Sequence, residues 1–183
     1  EEPKTMEQVI DIAEKFALSD PDGNGKDDTY GLYLDKDLNG LDFIMAAYEV
    51  YSKDEYWVKQ EDGSFIAGCT APDAKKPLGA LAKLYEEGAI DHEFAVKEQS
   101  KEEELIASGQ IGIYIGYFYS PLGVMKDSVA NTGADWVAVP MPAAEGYSDY
   151  KPGVNLNVYG YIYAKKGISN PEAIVVMLNH LCH

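Results

Sequence analysis

Cysteine is scarce in this sequence: Cys69 and Cys182 are its two thiols, far apart along the chain. Two cysteines make no disulfide framework, and the reading is free thiols. Histidine is nearly as rare. His92, His180 and His183 lack metal-ligand spacing, because an i, i+3 pair at a chain terminus is a weak donor set. Basic charge is short as well. Fifteen basic side chains stand against 31 acidic ones, a net charge of −16, which repels nucleic acid and anionic lipid headgroups. No apolar run approaches the length of a bilayer span. Nucleophile elbows of the Gly-x-Ser-x-Gly type and phosphate-cradling glycine loops are missing too. Carboxylates are so numerous that close pairs arise by chance, so an acid pair is no evidence for glycoside hydrolysis. Glu102, Glu103 and Glu104 read as the first turn and solvated face of a helix. No internal repeat or low-complexity segment occurs.

What is present is enough apolar residue, 46% of 183, for the core of one domain or of one lobe of something larger. One loop organises the rest, Asp20-Pro21-Asp22-Gly23-Asn24-Gly25-Lys26-Asp27-Asp28-Thr29. Side-chain oxygens recur at Asp20, Asp22, Asn24 and Asp28, with glycines between. Counted from Asp20, these are positions one, three, five and nine of the calcium loop of a helix-loop-helix, with Gly25 at six and the Lys26 carbonyl at seven. A hard cation needs six to eight such oxygens, and this alternation supplies several. Position twelve departs from the pattern: it is Gly31, where a bidentate Glu would stand. A sixth ligand must come from water, from Asp27 or Thr29, or from a carboxylate elsewhere. The competing reading is a solvated turn, which Asp, Gly and Asn form without metal.

Thr5-Met6-Glu7-Gln8 reads as a capping box opening a helix whose apolar face runs from Met6 to Ala17. Tyr30 to Leu34 suits a strand. Helix, loop and strand make a structural clamp rather than a paired-helix sensor. A permanent calcium clamp points to the outside of a cell, where the ion is plentiful. Further along, the pattern predicts a helix over 41–51 and a hairpin of 56–58 with 64–67 on an Asp-Gly turn. It predicts helices over 77–87, with Gly88 as cap, and from Ser100 to Ser108, opened by a second capping box. A buried strand over 111–116, a helix over 122–129, strands over 135–140 and 158–164, and a last helix opened by Asn170-Pro171 complete the set. Helices alternating with short strands argue α/β, with a mixed central sheet of about four or five strands flanked by helices.

In this order the segments resemble the extracellular solute-binding proteins of bacterial ABC importers, the large family that includes maltose-binding protein. The likeness is carried by Pro3-Lys4-Thr5 before the first helix, Asp20 to Leu32, Leu84-Tyr85-Glu86-Glu87-Gly88-Ala89-Ile90-Asp91, and Gly109 to Tyr114. Tyr159-Gly160-Tyr161-Ile162 ahead of Asn170-Pro171-Glu172-Ala173 completes it. The calcium loop is specific to a lipoprotein-like branch of that family. The resemblance implies a periplasmic-binding-protein-like lobe. Residues 1–153 would form the second of two lobes, and 154–183 a return strand and helix leading towards the other. The chain starts Glu-Glu-Pro-Lys-Thr, with no initiator Met, signal peptide or lipidation Cys, and is expected to be cut from a longer cell-surface lipoprotein whose anchor it lacks.

Residue by residue, the resemblance implies calcium ligands at Asp20, Asp22, Asn24, Lys26 (through its carbonyl) and Asp28. It places an aromatic platform for sugar at Tyr117, Phe118 and Tyr119, after the 111–116 strand. Trp57 on the hairpin is a further ligand-binding candidate, whereas Trp136 reads as core. Asp35 to Asn39, where the family also contacts ligand, carries no strong motif here. The function implied is capture of a carbohydrate or oligosaccharide for a membrane permease, by a monomer without catalysis. A secreted carbohydrate hydrolase and a calcium-stabilised adhesion module are the alternatives.

Overall fold

The computed structural model describes residues 2–21, 23–26, 28–53, 56–154 and 160–181. Ten elements follow in order: α1 (Met6–Leu18), β1 (Tyr30–Leu32), α2 (Leu41–Ala46), β2 (Trp57–Lys59), β3 (Phe65–Ala67), α3 (Lys75–Glu86), α4 (Gln99–Ala107), β4 (Ile111–Ile113), α5 (Met125–Thr132) and α6 (Ala173–Leu181). The chain divides into two compact units, Glu1–Gly153 and Val154–His183, the second carrying α6.

Helix α1 starts where the sequence predicts, with the Thr5 hydroxyl accepting from the Gln8 N–H at 3.3 Å. The Gln8 side chain returns to the Lys4 N–H at 2.7 Å, one residue before the cap itself. Behind α1 lies a parallel pair, β1 with β4, in register Tyr30↔Ile111 and Leu32↔Ile113. Gly31 sits at its centre because the helix comes so close. A Cβ there would lie 2.8 Å from the Ala13 Cα and nearer still to its carbonyl. This contact is the physical reason that loop position twelve is glycine rather than glutamate. Gly112 on β4 is pressed in the same way against the Phe16 ring. The core gathers Met6, Ala13, Leu32, Ile44, Met45, Leu84 and Ile90 from α1, β1, α2, α3 and the turn after α3.

The α/β character stands, but the sheet differs from expectation. Among the described residues there are two two-stranded sheets, parallel β1–β4 and antiparallel β2–β3, in place of one sheet of four or five strands. Residues 135–140 and 160–164 are extended or irregular and enter no ladder, and 155–159 lie outside the described residues. A strand needs a pairing partner as well as β propensity. The hairpin forms as predicted, with Gly63 at φ 84° and its N–H on the Gln60 carbonyl at 3.0 Å.

Helix α2 stops at Ala46 instead of Tyr51. Met45, Ala46, Ala47, Tyr48 and Val50 are all buried, which no single helical face can supply, and Glu49 at φ 54° turns the chain. Helix α5 starts at Met125 after a tight turn at Ser120–Leu122.

Helix α4 begins at Gln99 with Glu98 in the cap position, so Ser100 is not the cap that the sequence suggests. Its phase is set by burying Glu102 and Ile106 one turn apart. Glu102 therefore corrects the solvated-face reading: it is 3% exposed, and its Oε1 has no hydrogen-bond partner among the described residues. Its Oε2 accepts the Tyr33 hydroxyl at 3.3 Å. Burial, and then the Asp35 carboxylate, push its pKa up, against the opposing pull of Tyr33 and Lys36. A carboxyl raised above its unfolded value binds its proton more tightly in the native state. Its stability contribution is complete below the unfolded pKa and is lost as pH rises through the folded one. Glu102→Gln is uncharged, keeps an acceptor for Tyr33 and can turn an amide N–H towards Asp35. It is expected to raise the melting temperature at neutral pH and to leave it unchanged in acid. A uniform drop at all pH values would contradict the buried-carboxyl account.

Candidate ligand platform and cation loop

The Asp20–Asp28 loop leaves α1 with Asp20 at φ 42° and turns through Gly23 and Gly25 at φ 67° and 76°. The Asp20, Asn24 and Asp28 side chains hydrogen-bond within the loop. The Asp20 carboxylate accepts the N–H groups of Asn24 at 3.1 Å and Gly25 at 2.9 Å. The Asn24 Oδ1 accepts the Lys26 N–H at 2.8 Å, and its Nδ2 donates to Asp28 Oδ1 at 3.0 Å. Asp20, Asn24 and Asp28 are thus drawn together by hydrogen bonds. Asp22, the fourth side-chain ligand predicted, lies outside the described residues, as does Asp27. Among the described residues no cluster of three or more His, Cys, Asp or Glu converges. The loop's far end is tied to β4, for Gln110 Nε2 donates to the Asp28 carbonyl at 2.7 Å and the Tyr30 N–H to the Gln110 carbonyl at 2.7 Å. Thr29 is buried, and its hydroxyl has no partner among the described residues. Two acids, one amide and a carbonyl are a hard-oxygen set that fits calcium in kind.

The aromatic step stands at the carboxyl end of β4, where open α/β sheets receive ligands. Tyr117 and Tyr119 stack with centroids 5.3 Å apart and planes 12° from parallel, and Phe118 meets Tyr119 edge-on at 5.5 Å. All three are exposed, Phe118 almost completely and the tyrosines by about half (55% and 53%). They are not buried under α5. A tight turn holds the step: the Tyr117 N–H donates to Ser120 Oγ at 3.1 Å, and the Ser120 N–H to the Tyr117 carbonyl at 2.9 Å. Gly116 lets Tyr114 and Ser120 close beneath it, since a Cβ there would lie 2.7 Å from Ser120 Oγ.

Beside the step runs a groove that the sequence reading missed. Phe43 of α2 touches Tyr117 edge-on at 5.7 Å and also lines this groove, a small open space of about 20 Å³, with Asp42, Tyr51, Tyr56, Tyr150 and Gly153. The Tyr56 ring lies on Gly153, where a Cβ would come within 2.8 Å of it. The Tyr150 hydroxyl is buried without a partner among the described residues. Burial, Asp42 and Tyr51 push its pKa up to about 12. The signal was in the sequence as Phe43, Tyr51 and Tyr56, but Phe43 and Tyr51 fell within the helix expected over 41–51. The segment Asp35–Asn39 is a turn: the Asp35 carboxylate accepts the Asn39 N–H at 2.9 Å and its Nδ2–H at 2.8 Å.

Trp57 is 64% exposed on β2, outside the ring contacts of the step. Trp136 is partly buried against α5, its indole N–H donating to Ser128 Oγ at 3.3 Å, and is not in a strand. Cys69 is an exposed free thiol, and Cys182 lies outside the described residues.

No protein-family model matches the chain. Among curated proteins it is 34% identical over 115 residues to the polygalacturonan/rhamnogalacturonan-binding protein YtcQ of Bacillus subtilis (strain 168), a match over 62% of this chain and 22% of that protein. It is 32% identical over 116 residues to the lipoprotein LipO of the same organism, over 62% and 23%. The chain therefore spans about a fifth of the length of the curated relatives it matches. Among solved structures it superposes on an extracellular solute-binding protein from Bifidobacterium longum subsp. infantis with TM-score 0.61 and 22% identity, over 81% of this chain and 31% of that one. The Streptococcus pneumoniae ABC-transporter substrate-binding protein FusA, solved with kestose, gives TM-score 0.51 and 25% identity, over 61% and 23%. YtcQ and FusA are binding proteins by name, LipO is a lipoprotein, and the matched fold is that of an extracellular solute-binding protein. In sequence and in fold, the chain resembles one lobe of the extracellular solute-binding proteins of bacterial ABC importers.

Proposed function

We propose that this chain is the sugar-facing part of a cell-surface solute-binding protein that captures an oligosaccharide for an ABC permease. The observation that carries the reading is the exposed Tyr117–Tyr119 stack at the carboxyl end of β4. A sugar ring offers an apolar face, which a tyrosine ring covers, and a polar edge, which tyrosine hydroxyls can bond. In this reading the chain binds sugar and does not hydrolyse it. Ligand would be held between two lobes, and contacts to both would shift the population towards the closed form that the permease recognises. Calcium at Asp20, Asp22, Asn24, Asp28 and the Lys26 carbonyl would pin the end of α1 to the start of β1 and take no part in sugar binding.

One lobe keeps only its own share of the contacts, so this chain is expected to bind kestose weakly, as seen by NMR titration. Burying one ring face on sugar contributes about 1–3 kcal/mol, a few-fold to about a hundredfold in affinity. Tyr117→Ala with Tyr119→Ala is therefore expected to remove measurable binding while the melting temperature holds. Undiminished binding by the double variant would end the proposal.

A further inference from the structure

The inference rests on the sugar-binding reading and concerns what holds the aromatic step in place. Behind the step, at the carboxyl ends of paired β1 and β4, lies a cluster that a sugar need not touch. Glu102 of α4 is buried, and its Oε2 accepts the Tyr33 hydroxyl at 3.3 Å. The Tyr33 ring lies against that of Tyr114, with centroids 5.1 Å apart. Tyr114 and Ser120 meet at Gly116, where a Cβ would lie 2.7 Å from Ser120 Oγ and closer still to the Tyr114 ring. Ser120 Oγ accepts the Tyr117 N–H at 3.1 Å. Contacts therefore run unbroken from a buried carboxyl to the backbone of the platform.

Several ionisable groups face this cluster. Asp35, itself buried, is the like charge acting on Glu102, and Lys36, which faces Glu98 at 3.6 Å, is the opposite one. Asp35 and Glu103 also act on Tyr114. From α5, which packs on α4 through Asn131 and the Ala107 carbonyl at 3.3 Å, the ionisable residues are Lys126 and Asp127. Burial and Asp35 push the Glu102 pKa up, and burial and Glu102 keep the Tyr33 phenol protonated, a donor.

We propose that Glu102 is a positioning residue for the sugar platform: its neutral form anchors Tyr33 and Tyr114 beneath the step, and its ionisation loosens the step and weakens sugar binding. Neutral, the carboxyl stays buried one turn from Ile106 with Tyr33 held on Oε2. Ionised, it is a buried charge beside another carboxylate, and movement towards water relieves it and withdraws the anchor. Since the neutral form binds better, bound sugar must in turn favour the protonated carboxyl.

The test is NMR titration of this chain with kestose from about pH 4 to about pH 8, across and above the ordinary carboxylate range. The Tyr117 and Tyr119 ring signals are followed over the same series without sugar. Kestose has no ionisable group in this range, so the profile reports the protein. Affinity is expected to fall at least about threefold as pH rises, and the ring signals to move over the same interval. Glu102→Gln, a permanently neutral form, should flatten both profiles at the tighter, acid level. Tyr33→Phe keeps the ring on Tyr114 but loses the anchoring hydroxyl, and should flatten them at the weaker level. A side chain that merely supported the fold would change affinity alike at every pH. Parent affinity that is constant or rises with pH, a profile that survives in Glu102→Gln, or equal affinity of the two variants would overturn the inference. If kestose binds at no pH, the sugar-binding reading fails by itself. The ring signals then decide the link from Glu102 to the step, which falls if they ignore pH or respond alike in Glu102→Gln.

Discussion

Gly31→Ala is expected to destabilise the first unit by about 3 kcal/mol or more and to lower its melting temperature by roughly 6–12 °C. The added methyl has no rotamer to escape into. It would meet the Ala13 backbone, 2.8 Å from the Cα, rather than the end of a yielding side chain. To make room, α1 must lift from β1, which opens the contact between buried Met6 and Ala13 on one side and Leu32 on the other. Gly79→Ala is the control. Gly79 lies in α3 with nothing within 4 Å of a built Cβ, so alanine there should stabilise by about 0.5–1 kcal/mol through helix propensity alone. Thermal unfolding by circular dichroism separates the two. Equal melting of Gly31→Ala and the parent chain would contradict the helix-on-strand packing described here.

Calcium is expected to give the second large effect. A ligand present at about 100 times its dissociation constant stabilises the state it binds by about 2.7 kcal/mol. In a domain of this size that is roughly 5–11 °C in melting temperature. Millimolar calcium should therefore raise the melting temperature over chelator, and Asp20→Ala should abolish most of the increment. Asp22→Ala should behave alike, since it removes another ligand of the same loop. In chelator both variants should melt close to the parent. Identical melting of the parent with calcium and with chelator would leave the loop as a hydrogen-bonded turn and nothing more.

Legibility in the sequence followed the range of the interactions. Helix α1 and its Thr5 cap, the β2–β3 hairpin and the Gly88 cap after α3 depend on residues a few positions apart, and these were readable. The offsets of Asp20, Asn24 and Asp28 were readable too, because they lie within ten residues of one another. What failed to show was set by partners distant in the chain. Glu102 looks like a solvated acid until α4 turns it under Tyr33, 69 positions away. Gly31 looks like a defect in a calcium loop until α1 is laid against it. The strand at 111–116 shortens to Ile111–Ile113 because β1, its partner, ends at Leu32, and the Tyr33 N–H makes the last bond to the Ile113 carbonyl at 2.9 Å. Of the platform, Tyr117, Phe118 and Tyr119 were visible as an aromatic run. Their stacking, and the groove that Phe43, Tyr56 and Tyr150 build beside them, require the fold.

The most direct measurement is the crystal structure of this chain soaked with kestose at the highest soluble concentration. The account predicts a sugar ring lying flat on the Tyr117–Tyr119 stack. Density for the sugar at any other place, or a bare aromatic step beside a bound sugar, would contradict it.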